Sequence, residues 1–301
     1  MDQNEEAPMP AGRYPVLVGV DGSPGGDTAL QWAIDDATTR SVPVRLVCAY
    51  RWALAYGSSP MYADTPDVDF QQSRRIAEQV IAKAIGRAAE LDRNAEVRGE
   101  AIDGNAVPVL VGESTRAVLL VLGSRQATAL GSVVLGSVSA GVAARAACPA
   151  IVVRGPAGLP GENPAVVVGV DGTEASEAVL AFGFDHASRH HTPLRAVLCW
   201  HPDLLASMMW RAEPPPPTRA EVWLSEALAG WREKYPDVVV HSAVIRDHPA
   251  AGLVSESAAQ HLLVVGSHGR HALTGTLLGS VSQGVLHHAT CPVAVVATHA
   301  D

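Results

Sequence analysis

Short apolar runs alternate along the chain with stretches of helical period. VLVGV (16–20) is a continuous apolar run and predicts a strand buried on both faces. Ser23 and Pro24 then form a helix start, with Ser as N-cap and Pro at the first helical position. Leu30, Ala33, Ile34 and Ala37 recur at the spacing of one helical face. Pro43 closes this segment, and VRLVCAY (44–50) is a second strand. Ile76, Val80, Ala84, Ala88 and Leu91 stripe a longer helix. A strand near 96–102, a helix over 109–116, the strand AVLLVLG (117–123), a helix after Gly136 and the strand AIVVR (150–154) complete the unit. Near-continuous apolar strands separated by amphipathic helices predict an α/β fold with a parallel sheet covered on both faces. Five strands in this rhythm favour a doubly wound, flavodoxin-like sheet of order 3-2-1-4-5. Its ligand crevice lies beyond the C-terminal ends of strands 1 and 4, where the strand order reverses.

The pattern then repeats. Tyr14-Pro-Val-Leu-Val-Gly-Val-Asp21-Gly22-Ser23 returns as Ala165-Val-Val-Val-Gly-Val-Asp171-Gly172-Thr173, an offset of 150 from Asp21 to Asp171. Leu135-Gly-Ser-Val-Ser-Ala-Gly-Val142 returns as Leu278-Gly-Ser-Val-Ser-Gln-Gly-Val285, an offset of 143, so the second copy is seven residues shorter between the blocks. The organisation that follows is one doubly wound domain over 14–154, a Gly/Pro-rich linker over 155–164 and a second domain over 165–298. Like repeats in one chain offer each other their edge strands, a pairing that would mimic a homodimer. After the second strand of each copy lie Arg51–Asp69 and His201–Arg219, which read as lids, partner surfaces or tolerated insertions. The first reads as a long loop. The second carries Met208, Met209, Trp210 and a proline tract over 214–217 that is not expected to be helical.

Composition narrows the classes. The net charge of −9, from 22 basic and 31 acidic residues, argues against an extended nucleic-acid or anionic-membrane surface. No apolar run approaches the roughly 20 residues that span a bilayer. The acidic N-terminus has no apolar core of a signal peptide, so a cytoplasmic location is expected. Cys48, Cys148, Cys199 and Cys291 form no C-x-x-C pair and read as buried thiols. All twelve histidines lie in the second half. Adjacent helical residues point about 100° apart, so His190-His191 and His287-His288 read as solvated helix-end pairs rather than chelates, and no metal ligand is assigned among them.

The residues that carry chemistry fall at the two strand ends. The strand LLVVG (262–266) runs into Gly266-x2-Gly269-x9-Gly279-Ser280. Gly266 and Gly269 would let backbone approach a phosphate and take positive φ. Gly279 and Ser280 start the next helix, where free N–H groups and the helix dipole suit an anion. Arg270 would reach over the outer phosphates. Asp171 would face ribose hydroxyls or a metal riding on the phosphates. Competing with these are plain turn glycines, an N-cap role for Ser280, and helix capping by Asp21 and Asp171. His268 is the one histidine inside the loop, and a bystander role there outweighs phosphate sensing.

On this spacing, its place after strand 4 and the strand-1 Asp, both repeats resemble the universal stress protein family in its tandem form. The resemblance implies a bound adenine nucleotide, ATP, often with Mg2+ or Mn2+, weak or no hydrolysis, and self-association through the last strand, hence a dimer. It places adenine near Ala49 and Cys199. The candidate site in the second copy is Gly169, Asp171, Cys199, Gly266, Ser267, His268, Gly269, Arg270, Gly279, Ser280, Val281 and Ser282. Its weaker counterpart in the first copy is Gly19, Asp21, Ala49, Gly123, Ser124, Arg125, Gly136, Ser137, Val138 and Ser139, because Gln126 takes the place of the second glycine. His271 stands where the family usually carries a small residue. An enzyme reading, as ATP hydrolase or nucleotidyl transferase, has no Walker-type Gly-Lys-Ser/Thr and no catalytic triad in support. A third reading is a scaffold that has lost its ligand; Gln126 supports it in the first copy, and the intact second motif opposes it.

Overall fold

A computed structural model describes residues 14–51, 66–124, 135–154, 164–173, 175–200, 217–268 and 278–298. The first repeat runs β1 (Val16–Gly19), α1 (Pro24–Arg40), β2 (Val44–Tyr50), α2 (Pro66–Leu91), β3 (Val97–Asp103), α3 (Ala106–Ser114), β4 (Leu119–Gly123), α4 (Ser137–Ala143) and β5 (Ala150–Val153). The second runs β6 (Val166–Val170), α5 (Ala175–Arg189), β7 (Leu194–Cys199), α6 (Pro217–Lys234), β8 (Val240–Ile245), α7 (Pro249–Glu256), β9 (Leu262–Gly266), α8 (Ser280–His288) and β10 (Val293–Val296).

Each repeat has the expected strand order, and the two sheets are one. The ten strands run β3-β2-β1-β4-β5-β10-β9-β6-β7-β8. Every neighbouring pair is parallel except β5 and β10, which meet antiparallel in the register Ala150↔Val295, Ile151↔Ala294 and Val152↔Val293. The last strands of the two repeats therefore pair within the chain. The outer edges are β3 and β8, whose residues are mostly half-buried or exposed. Alternate residues of every inner strand feed two apolar layers. One packs under α1, α2, α5 and α6 and includes Val16, Val18, Val166 and Val168. The other packs under α3, α4, α7 and α8 and includes Leu17, Leu120, Val167 and Leu263. This two-sided burial is why the strands read as unbroken apolar runs.

The start of α1 follows the local rule. Ser23 is the N-cap, its Oγ accepts from the N–H of Gly26 at 3.2 Å, and Pro24 opens the helix. Its expected face, Leu30, Ala33, Ile34 and Ala37, is buried. Helix α2 corrects the stripe. Ile76 is 54% exposed, and the buried face is Ala77, Ile81, Ala84 and Ala88. Small residues on that face let the helix lie close, with Ile81 filling the space a side chain at Gly99 of β3 would need. Helix α3 begins at Ala106, three residues before the expected start, and α6 begins on Pro217, the first helical position that tolerates proline. Residues 52–65 and 201–216, including Met208, Met209 and Trp210, lie outside the described residues, as does most of the linker.

Above the β5–β10 seam α1 meets α5. Arg40 holds Asp36 through Nε at 2.6 Å and reaches Asp185 of the other repeat through Nη1 at 3.1 Å. The expectation of solvated histidine pairs fails at His190. His190 is not solvated: its Nε2 lies 3.1 Å from Asp36 Oδ1, and its side chain is 12% exposed. It lies against Asp36 of α1 and the rings of His186 and His261, while His191 takes a left-handed φ of 51° and is exposed. His287 and His288 are exposed, as expected. Burial works against charge on Asp36, but the imidazoles of His186 and His190 and the Arg40 guanidinium outweigh it and hold its carboxyl well below the usual range. Burial, with His186 and His190 beside it, pushes the His261 imidazole down to about 4.

Two kinds of glycine are separable by stability. Gly86 and Gly230 sit in exposed helix with nothing near the place of a Cβ, so Gly86→Ala and Gly230→Ala should each add about 0.5–1 kcal/mol in denaturant unfolding. At Gly123 a Cβ would collide with the backbone of Gly25 and Gly26, so Gly123→Ala should cost about 1–3 kcal/mol. Equal effects at the three positions would contradict this packing.

Candidate functional site

Strand β6 pairs with β7 on one side and β9 on the other, so the chain leaves β6 and β9 at a point where connections diverge to opposite faces. Asp171 follows β6 directly. Its Oδ1 accepts from Thr173 N at 3.0 Å, Thr173 Oγ1 at 2.7 Å and Ser176 Oγ at 2.9 Å. In the first repeat Asp21 Oδ1 accepts from Ser23 N at 3.0 Å. Asp21 does not cap the helix behind it, since Ser23 takes that place. Each aspartate closes the tight turn that leaves its strand. The glycine after each aspartate supplies the left-handed backbone of that turn, Gly22 at φ 76° and Gly172 at φ 82°.

Gly266 corrects another expectation. It ends β9 in extended backbone, without positive φ. A Cβ there would meet Thr298 Cγ2 at 3.0 Å and the His268 carbonyl at 3.1 Å, so the glycine permits close packing. Beyond it the chain is braced by Thr298, just past β10. Thr298 N donates to Ser267 Oγ at 3.1 Å, His268 N donates to Thr298 Oγ1 at 3.1 Å, and Ser267 Oγ lies 3.1 Å from His268 Nδ1. Thr298 carries no motif, and the sequence offered no signal for it.

Helix α8 starts against that braced segment. Its N-cap is Gly279, at φ −68° and ψ 158°, with no side-chain cap; Ser280 is the first helical residue rather than the cap. Gly279 N donates to Ser267 O at 2.8 Å, and Ser282 Oγ donates to Ser267 O and Gly279 O, both at 3.1 Å. These bonds pin the helix start to the end of β9, and the cap residue, a glycine, supplies no side-chain hydrogen bond to its first turn. The N–H groups of Ser280, Val281 and Ser282 are those a helix leaves without intrahelical partners. A helix end so anchored and so uncapped favours a ligand carrying negative charge.

Comparison with known proteins gives the family. The profile of the universal stress protein family matches residues 13–154 and again 163–297. The chain belongs to the universal stress protein family. A universal stress protein of Mycobacterium tuberculosis is 40% identical over 291 residues, 95% of this chain and 98% of that protein. A relative from Mycolicibacterium smegmatis is 36% identical over 302 residues, 95% of this chain and 98% of its own length. In fold, the chain is similar to a universal stress protein from Archaeoglobus fulgidus, with a TM-score of 0.69 at 18% identity, covering 96% of this chain and 100% of that one.

Within this universal stress protein the repeats differ. In the first, α4 starts at a matching uncapped glycine, Gly136 at φ −68° and ψ 146°, and Ser139 Oγ donates to Gly123 O at 3.0 Å. Ser137 opens that helix and Val138 packs into the apolar layer behind it, as Val281 does in the second repeat. The end of β4 is packed against the start of α1, since Gly123 abuts the Gly25 backbone. Ser124 is buried, and its hydroxyl has no hydrogen-bond partner among the described residues. Arg125 and Gln126, and in the second repeat Gly269, Arg270 and His271, lie outside the described residues. Gly19 and Gly169 are packing positions: a Cβ at Gly19 would meet Leu122 at 2.5 Å and one at Gly169 would meet Leu253 at 2.8 Å. Ala49 lies in β2 opposite Ile102, half-buried. Cys199, its counterpart, ends β7 with Sγ 3.7 Å from the Pro249 carbonyl.

All four cysteines are free thiols. Burial raises each thiol, Cys148 and Cys199 to about 12. At pH 8 a thiol near 12 is ionised in about one molecule in ten thousand, so native protein should resist iodoacetamide at Cys148 and Cys199 and label there once unfolded. Rapid labelling of Cys199 in the folded chain, read by mass spectrometry, would show that the end of β7 is more open than this packing allows.

Proposed function

We propose that this universal stress protein binds ATP in the crevice of its second repeat and works as a cytoplasmic regulator with slow or no hydrolysis, its repeats (14–154 and 165–298) forming two domains. The observation that carries the reading is the start of α8. Gly279 gives the helix no side-chain cap, and its hydrogen bond to Ser267 holds the open end beside β9. Phosphates would take the place of a cap, accepting from the N–H groups of Ser280, Val281 and Ser282. Asp171, at the adjacent strand end, is the carboxylate for the ribose or for a Mg2+ or Mn2+ ion carried by the phosphates. Adenine would lie toward Cys199 at the end of β7. The glycine at 269 and the guanidinium of Arg270 complete the triphosphate cradle in this reading.

Several features bear on the finer points. Four free thiols suit a reducing compartment. Gln126, the close packing of Gly123 on Gly25 and the shorter helix α4, seven residues against nine in α8, favour the second repeat over the first. Slow turnover is supported by the lack of a catalytic triad or Walker lysine in the sequence. The pairing usually made between subunits through last strands is spent inside the chain, so a homodimer would have to use another surface.

Thermal unfolding with and without MgATP tests the proposal, because ligand at 100 times its Kd should add about 2.7 kcal/mol of stability. Ser280→Asp separates binding from folding. An acidic residue in the first turn should leave the free protein as stable or add about 0.3–1 kcal/mol, yet repel the phosphates and abolish the MgATP shift. The same change at Ser137 should leave most of the shift intact. A Ser280→Asp protein that is still stabilised by MgATP would sink the site, and phosphate release faster than about 1 per second would favour an enzyme.

A further inference from the structure

Three imidazoles and a carboxylate, drawn from both repeats, come together at the other end of β9 from the nucleotide crevice. His186 lies in α5, His190 one turn later just past its end, His261 immediately before β9, and Asp36 in α1. Ring centroids are 4.2 Å apart for His186 and His190, 5.3 Å for His186 and His261, and 5.2 Å for His190 and His261. Nε2 of His186 is 3.2 Å from Nε2 of His261. Asp36 Oδ1 is 3.1 Å from His190 Nε2 and 3.4 Å from His186 Nδ1. Arg40 occupies the other carboxylate oxygen at 2.6 Å, which leaves Oδ1 turned toward the rings.

Two contacts in the cluster have hydrogen-bond length, His190 Nε2 to Asp36 and His261 Nε2 to His186 Nε2, yet they do not satisfy every nitrogen. The His186 side chain is fully buried, and its Nδ1 has no hydrogen-bond partner among the described residues despite the nearby carboxylate. With Nδ1 turned to Asp36, the ring presents Nε2 to His261, the orientation in which a carboxylate stands behind a metal-bound imidazole. Nitrogens that can serve as lone-pair donors face one another, one from each ring, all within 4.8 Å. A tetrahedral ion with metal–nitrogen bonds of about 2.0–2.1 Å holds its ligands roughly 3.3 Å apart. The separation between His186 and His261 already matches that edge, and small side-chain torsions would close the rest.

We propose that His186, His190 and His261 form a binding site for a divalent transition metal of the zinc type, with Asp36 as a positioning residue that orients the His186 and His190 rings. Imidazole is a preferred ligand of such ions, and a carboxylate behind a metal-bound histidine is the usual second partner of the ring. The ion would tie α5 to the start of β9 within the second repeat, and Asp36 would reach the ligand rings from α1 of the first. Strand β9, five residues and so roughly 16 Å long, separates this site from the phosphate crevice, and the two are independent. The spacing His186-x3-His190 on one helix face was present in the sequence; only its closure by His261 and Asp36 needed the fold.

The test uses the full chain without a polyhistidine tag, stripped with EDTA and titrated by calorimetry with ZnCl2 alone. The expected result is one ion per chain, a Kd at or below about 1 µM, and a raised Tm. CoCl2 should give the strong visible absorption of a tetrahedral site in the wild-type protein, a readout that needs no variant. His190→Gln and His261→Gln should each weaken Zn2+ binding about tenfold or more with unchanged far-UV circular dichroism, and Asp36→Asn should weaken it less. A His287→Gln/His288→Gln protein should bind as wild type. Absence of binding at about 100 µM ZnCl2, an octahedral Co2+ spectrum, affinity untouched by both ligand variants, or loss of binding in the His287/His288 variant would each overturn the site.

Discussion

The antiparallel pairing of β5 with β10 determines where everything else in the molecule can lie. A five-stranded repeat on its own would end on a bare row of backbone donors and acceptors, an edge that soluble proteins take care to cover. Here each repeat covers the other. Ala150, Ile151, Val152, Val293, Ala294 and Val295 are all essentially inaccessible, so the seam is among the driest parts of the sheet. The outer edges behave differently. Strands β3 and β8 carry Arg98, Glu100, His241 and Ser242 and remain partly solvated, which discourages further strand addition. Pairing the two edges also stacks the apolar layers of the repeats end to end, giving two continuous cores rather than four separate ones.

Fusion of the repeats changes what chemistry the seam can hold. By the offset of 150, position 36 of the first copy corresponds to 186 of the second, and 40 to 190. In a symmetric dimer of identical copies, like residues face like across such an axis. Once both copies are in one chain each can diverge, and Asp36 with Arg40 now confronts His186 and His190. The same divergence separates the two crevices. The first repeat carries Gln126 and a strand end filled by the Gly25 backbone; the second keeps the full glycine spacing in its sequence.

Much of the fold was legible in the sequence because its signals are local or periodic. Strand runs, the Ser23-Pro24 helix start and the repeat offset need no tertiary information, and strand order follows from the regular alternation of strand and helix. The errors have physical causes. In α2 the expected Ala84 and Ala88 are buried and Val80 and Leu91 pack at the margin, while Ile76 faces out because Ala77, the smaller neighbour, lets the helix approach. Gly266 was assigned a positive φ because motif glycines are easily read as turns, whereas Thr298 from the far end of the chain sets its role. Thr298 and His261 act through contacts 30 and 75 residues away in sequence, to His268 and His186, and no local pattern announces them.

Native-state hydrogen exchange on the full chain is the most direct test of the seam. If β5 and β10 pair as described, their inward amides should exchange only through global unfolding, as slowly as those of the central strands β4 and β9, while β3 and β8 exchange first. Amides of β5 and β10 that exchange as fast as the outer edges, or two repeats that open at separate free energies with the seam released first, would contradict it.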